Sequence, residues 1–195
     1  MRLRDLLNYD NIVIQCHDNP DADTIACGFG VYLYLKSKGK EARLVYGGQN
    51  VIRKSNLVMM VQELHIPLVH VDYLRKPELL VMVDCQYRSG NAAVFEADNI
   101  AVIDHHRISS ELPEMSAVNS KLGACSTLIW KMLKRENFNV QENRELSTAL
   151  YYGLYMDTGS FTEIVHPLDK DLRDEARFDQ KIMRKLRNAN MSLDE

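Results

Sequence analysis

The feature that most constrains this fold is a set of short apolar runs, each of which ends in acids or imidazoles. "NIVIQC" (11–16) runs into "HDNPDAD", "ELLVMVDCQ" (78–86) delivers Asp84, and "NIAVIDHH" (99–106) closes on Asp104, His105 and His106. Continuous apolar runs of this length, bounded by turn residues, read as strands covered on both faces. "EARLVYGG" (41–48) and "LVHVD" (68–72) add two more strands. Helical spacing occupies 24–39, 51–66, 125–137 and 142–159, with a short opening helix at 3–9 and an irregular stretch from the third acidic cluster to Ala124. Strands alternating with helices predict an α/β fold: a mostly parallel β-sheet of about five strands with helices on both faces.

Composition narrows the class. Hydrophobic residues make up 46% and charged residues 26%, which suits a globular domain that needs no staples. A formal net charge of −3 leaves no footprint for long duplex nucleic acid. No run approaches the 18 apolar residues of a membrane span, and the N-terminus has no signal-peptide core. Cys16, Cys27, Cys85 and Cys125 form no C-x-x-C pair and lie in or beside apolar segments. They read as buried reduced thiols, which implies a cytoplasmic protein. "CGFG" (27–30) reads as close helix packing, "YGGQN" (46–50) as a turn, Trp130 and Met132 as core, and His65, His70 and His166 as structural or surface residues. From His166 the chain turns highly charged, as a loop and a helix leaving the main body. We therefore expect a catalytic domain over 1–165 and a linker over 166–195.

In open parallel sheets, functional residues gather outside the carboxyl ends of the strands. That rule brings His17, Asp21, Asp23, Asp84, Asp104, His105 and His106 to one crevice. Asp157, at the end of the 142–159 helix, is a fourth contribution. Each piece has an ordinary alternative: "NPDAD" as a turn and N-cap, Asp84 as a cap, "DHH" as a polar loop, Asp157 as a helix-end turn residue. Together they cannot share a dry crevice unless cations neutralise them. Two Mn²⁺ ions suit the donor set, with Mg²⁺, Co²⁺, Zn²⁺ or Fe²⁺ as alternatives. Such a pair acts in in-line displacement at phosphorus.

The set "HDNPDAD", "VDCQ", "DHH" and "MDTGSF" resembles the motifs of the DHH phosphoesterase superfamily, over residues 10–165. That group includes RecJ-type exonucleases, oligoribonucleases, bisphosphate phosphatases, cyclic-dinucleotide phosphodiesterases and family II pyrophosphatases. The resemblance implies that His17 and Asp21 hold one metal, that Asp23, His105 and Asp157 hold the other, and that Asp84 bridges them. It further implies that His106 contacts phosphate and that Asp104 orients the histidines. The expected function is manganese-dependent hydrolysis of phosphate mono- or diesters of short oligonucleotides or nucleotides by a two-metal-activated hydroxide. "DTGSF" with Phe161 favours the oligoribonuclease and bisphosphate-phosphatase branch. Inorganic pyrophosphatase, or a metal-binding regulatory module without turnover, are the alternatives. A homodimer is compatible with the sequence. Such enzymes carry a second, C-terminal lobe that the sequence does not show, so a fragment of a longer protein is expected.

Overall fold

The computed structural model describes residues 1–109 and 111–190. Six strands form one sheet: β1 (Ile12–Cys16), β2 (Ala42–Tyr46), β3 (Leu68–His70), β4 (Leu79–Val83), β5 (Asn99–Asp104) and β6 (Met115–Val118). All pairs are parallel, in the order β3-β2-β1-β4-β5-β6. The helices are α1 (Ala22–Ser37), α2 (Ser55–Glu63), α3 (Cys125–Arg135), α4 (Arg144–Asp157), α5 (Pro167–Glu175) and α6 (Gln180–Asn190). The parallel α/β architecture is the expected one, with six strands against about five.

Alternate strand residues feed two cores. Ile12, Ile14, Leu44, Leu79, Val81 and Ile103 pack with residues from all six helices. Val13, Val45, Leu80, Met82 and Val102 face the other way, where Leu74, Cys85, Phe95 and Leu112 from connecting segments cover them. Strands buried on both faces have no polar side to expose, which is why they read as unbroken apolar runs. All four cysteines are buried and free. Gly28 lets α1 approach the sheet: a Cβ there would lie 2.5 Å from Leu44 Cδ1. The small residues of "CGFG" thus serve packing, as expected.

Two parts of the sequence reading change. The stretch before Ala124 contains β6, an edge strand that pairs Ala101–Asp104 with Met115–Val118. All four of its residues are only half-buried, so its apolar signal is weak. After His166 the chain forms two helices rather than one, and both return to the body. Leu172 of α5 and Met183 and Leu186 of α6 are buried in the main core, and Lys185 pairs with Glu63 of α2 at 2.8 Å. Among the described residues, no helix is long and apolar enough to cross a membrane.

The strand order reverses direction at β1 and β4. The chain first builds outward from β1 to β2 and β3, then crosses back to β4 on the other side of β1. That switch point opens a crevice at the carboxyl ends of β1 and β4, where loops diverge to opposite faces.

Candidate metal centre

His17 follows β1 and Asp84 follows β4, so the switch point itself juxtaposes them, with His17 Nε2 3.7 Å from Asp84 Oδ2. Asp84 sits at φ 59°, a left-handed conformation uncommon for a residue with a side chain. Its N–H donates to Ile103 O at 2.9 Å, so the neighbouring strand holds the turn in place. Strained backbone of this kind persists where the surroundings over-determine it, often at functional sites.

Asp21 begins α1. Its Oδ1 accepts from the N–H groups of Asp23 and Thr24 at 3.0 and 3.1 Å. Its Oδ2 faces His17 Nε2 at 3.6 Å. The cap reading of "NPDAD" and the ligand reading are therefore both served by one side chain. Asp23 is fully buried. Its carboxylate accepts from Cys125 N–H at 2.6 Å and Ser126 N–H at 2.8 Å, and from the Ser126 hydroxyl. Helix α3 has no capping side chain of its own. The carboxylate of another helix satisfies its orphan donors instead.

His105 follows β5, with Nε2 3.4 Å from Asp84 Oδ1, 3.2 Å from Asp157 Oδ2 and 4.0 Å from Asp23 Oδ2. Asp157 is the last residue of α4. The carboxyl end of a helix carries partial negative charge, so an acid there gains from a nearby cation. His106 is different. Its Nδ1 donates to Asp104 Oδ1 at 2.8 Å, and its side chain is 56% exposed.

Two histidines are oriented by the backbone. His17 Nδ1 lies 2.8 Å from Asp18 O, and His105 Nδ1 lies 3.1 Å from Leu122 O. A carbonyl can only accept, so each Nδ1 carries the proton and each Nε2 points at carboxylates. Among the described residues, His105 Nε2 and Asp84 Oδ1 are buried without a hydrogen-bond partner. Buried polar atoms are nearly always satisfied, and a cation between these two would satisfy both. Three groups of ligand atoms converge closely enough to hold an ion: His17, Asp21 and Asp84; Asp23, His105 and Asp157; and Asp84, His105 and His106.

Without a cation, protons relieve the crowding. Burial, then the charge of Asp157, pushes the Asp23 carboxyl up to about 6. Burial and the neighbouring Asp23 push Asp84 well above its ordinary value. Burial acts to lower His105, but the facing Asp157 and Asp23 outweigh it and lift the imidazole to about 9. Asp104 is the exception. Burial acts to raise it, yet hydrogen bonds from His106 and Gln86 outweigh that and hold it below the ordinary range. Burial pushes the Cys27 and Cys125 thiols up, so neither is disposed to act as a thiolate.

The structure thus brings together the metal-ligand candidates His17, Asp21, Asp23, Asp84, His105 and Asp157, with Asp104 and His106 at the edge. Sequence reasoning missed the supporting residues. Gln86 Nε2 donates to Asp104 Oδ2 at 2.8 Å and to Arg107 O at 3.0 Å, while its Oε1 accepts from Ser109 N–H at 3.0 Å. Asp169 of α5 is fully buried and accepts from Gly123 N–H at 2.9 Å. It thereby steadies the turn whose Leu122 carbonyl orients His105. Asp18 accepts from Ala93 N–H at 3.0 Å rather than facing the crevice. Gln86, in "VDCQ", and Asp18, in "HDNPDAD", lay inside motifs; Asp169 did not.

Comparison with known proteins adds four likenesses. The DHH family, N-terminal domain, matches residues 11–154. The chain is 27% identical over 175 residues to the cyclic-di-AMP phosphodiesterase GdpP of Geobacillus thermodenitrificans, which covers 82% of this chain and 27% of the relative. It is 27% identical over 150 residues to the bifunctional oligoribonuclease and PAP phosphatase NrnA of Thermus thermophilus, covering 77% of this chain and 44% of that protein. Among solved structures, an exopolyphosphatase-related protein from Bacteroides fragilis superposes with a TM-score of 0.72 at 18% identity, covering 95% of this chain and 60% of that one. That last likeness is one of fold. The chain spans less than half the length of these two curated relatives.

Proposed function

The chain belongs to the DHH family, and from that premise we propose that it hydrolyses phosphate mono- or diesters of short oligonucleotides or nucleotides, using two divalent cations with Mn²⁺ as the first choice. One observation carries the reading: donor atoms from four separate segments converge with their hydrogen-bonding capacity turned toward a common gap, and two of those atoms are buried with no partner. In this reading His17 and Asp21 would hold one cation, Asp23, His105 and Asp157 would hold the other, and Asp84 would be shared between the two groups. Mixed carboxylate and imidazole donors without thiolate suit Mn²⁺ or Mg²⁺ better than a structural zinc site. When bound, the pair supplies Lewis-acid charge to the phosphoryl group and lowers the pKa of water near it.

The chain's own residues do the positioning. Asp18 O and Leu122 O fix the ring orientations of His17 and His105, as ligand histidines generally require. Asp104 accepts a hydrogen bond from the Nδ1–H of His106. With the ring protonated on both nitrogens, its exposed Nε2–H can donate to a phosphoryl oxygen and stabilise charge developing there. Gln86 holds Asp104 and the turn after His106, so the imidazole is presented at a fixed angle.

The test is a metal-dependent assay of the native polypeptide with a dinucleotide, a nucleoside 3′,5′-bisphosphate and inorganic pyrophosphate. Turnover of the first two that depends on Mn²⁺ and disappears with Asp84→Ala is the expected result. Turnover of pyrophosphate alone would move the substrate class to anhydrides. Stoichiometric Mn²⁺ binding with no turnover of any of the three would leave a metal-binding module.

A further inference from the structure

Beside the metal centre lies a cavity of about 270 Å³ between the loop at Pro20 and Asp21 and the segment that leads into α2. The first motif supplies one wall, at Asn19, Pro20 and Asp21; the opposite wall, from Asn50 to Leu57, lies outside the motifs. We propose that this cavity receives the nucleoside on one side of the scissile phosphate, and that it selects nucleotide esters over inorganic pyrophosphate. The proposal rests on the phosphoesterase reading and specifies its substrate class.

Position is the first argument. Asp21 lines the cavity, and its Oδ2 also faces His17 Nε2 at 3.6 Å. A group held in the cavity is thus covalently within reach of a phosphate at the metal centre. The second argument is chemistry. Pro20, Val51, Ile52 and Leu57 make apolar walls, and Val51 is unusual in leaving 49% of its surface exposed. Such walls gain nothing from pyrophosphate, which is charged throughout, but suit the face of a heteroaromatic ring. Charge is the third. Arg53 and Lys54 stand at the rim. Neither forms an ion pair with a described residue. Two uncommitted cations next to a cluster of acids fit an adjoining phosphate, and a guanidinium can also stack on a base.

Size and rigidity agree. The volume lies near the lower bound of small-ligand pockets, roughly 300–1,000 Å³, which is room for one nucleoside rather than a whole dinucleotide. The wall is anchored: Ile52 N–H donates to the Tyr46 hydroxyl at 3.1 Å, the Tyr46 ring meets His70 edge-on at 5.0 Å, and Leu57 is buried in the main core.

Two variants test this without touching a proposed metal ligand. Val51→Trp fills the cavity from its exposed wall, and Arg53→Glu with Lys54→Glu reverses the rim charge. Kinetics with a dinucleotide and Mn²⁺, and calorimetric titration of AMP with Mg²⁺, are measured on wild type and both variants. The expected result is a rise of about tenfold or more in dinucleotide KM with kcat little changed, and a matching loss of AMP affinity. Mn²⁺ affinity and thermal stability stay at wild-type values. Unchanged KM and AMP affinity in both variants would overturn the proposal. If wild type turns over no phosphate ester, the phosphoesterase reading fails, and the AMP titration still decides the cavity. AMP binding lost in Val51→Trp supports it; no AMP binding, or binding indifferent to both variants, refutes it.

Discussion

Gly153 gives the sharpest test of how helix packing builds the centre. It lies in the interior of α4, where alanine should stabilise a helix by about 1 kcal/mol relative to glycine. Here the opposite should hold. A Cβ at this position would collide with Ser126 Oγ, and would lie 3.0 Å from Asp23 Oδ1 and 3.2 Å from Asp23 Cα. The serine hydroxyl could rotate, but it would then leave the Asp23 carboxylate it donates to. Backbone cannot yield without moving α1. Overpacking of this kind costs roughly 1–3 kcal/mol before relaxation. Set against the propensity gain, Gly153→Ala should be destabilised by up to about 2 kcal/mol net. In a chain of 195 residues that lowers the thermal midpoint by up to about 8 °C. Because the displaced group is Asp23, Mn²⁺ affinity should also fall, by roughly 10–100-fold as for other disturbances of ligand orientation. Thermal unfolding in chelator and Mn²⁺ titration by calorimetry read the two effects. Adding Ser126→Gly to Gly153→Ala should recover part of the lost stability, since it removes the nearest obstacle. A Gly153→Ala protein as stable as wild type with unaltered Mn²⁺ affinity would refute the claim that α4 must approach α1 this closely to place Asp23.

Three further outcomes follow from the same geometry. Metal-free protein should lose stability as pH rises from about 5 to 9. Asp23, raised to about 6 in the fold, and His105, raised to about 9, both bind protons more tightly folded than unfolded, so their stabilising protonation is lost on the way up; Mn²⁺ should flatten this slope, as thermal melts across the range would register. Asp84→Asn should abolish tight Mn²⁺ binding yet raise the metal-free melting temperature at neutral pH, because it replaces a buried carboxyl pushed well above its ordinary value with a neutral group; a fall in that melting temperature would contradict the sign. Asp169→Ala should orphan Gly123 N–H, destabilise by about 1–3 kcal/mol, and weaken Mn²⁺ binding through the Leu122 turn; metal affinity identical to wild type would show that α5 has no part in orienting His105.

The sequence made the strand ends legible because β1, β4 and β5 are buried on both faces and change abruptly from apolar to ionisable. It also made the metal-ligand candidates legible, since each follows directly on a strand, opens the helix after β1 or closes a helix. What escaped was carried by the backbone or by residues of ordinary appearance. Ser126 and Cys125 hold Asp23 largely through N–H groups, which leave no mark on residue type. Asp169 sits in "HPLDKDLRDE" among other acids, and only its full burial separates it from a solvated face. Charge hid the packing of α6 in the same way: Met183 and Leu186 are spaced for one helical face, but cations surround them. The β6 strand was obscured by being short, half-buried and at an edge.

These supports explain how one fold keeps so many acids close together. Asp21 and Asp23 stand at the amino ends of α1 and α3, where exposed N–H groups favour negative charge. Helix ends therefore neutralise part of the charge at the α1 side of the crevice. Asp84 and Asp157 have no such relief: one caps no helix, and the other lies at the carboxyl end of α4. Both face His105 Nε2, at 3.4 and 3.2 Å, and the Leu122 carbonyl engages the other nitrogen of that ring. In metal-free protein a proton on Nε2 faces this cluster, and it is Asp157 and the nearby Asp23 that lift His105 to about 9 against the effect of burial. A cation must displace that proton, so its binding strengthens as pH rises even while the metal-free fold weakens. The same residues that make the empty centre costly at high pH thus make the filled centre tight there, and the two pH trends must have opposite sign.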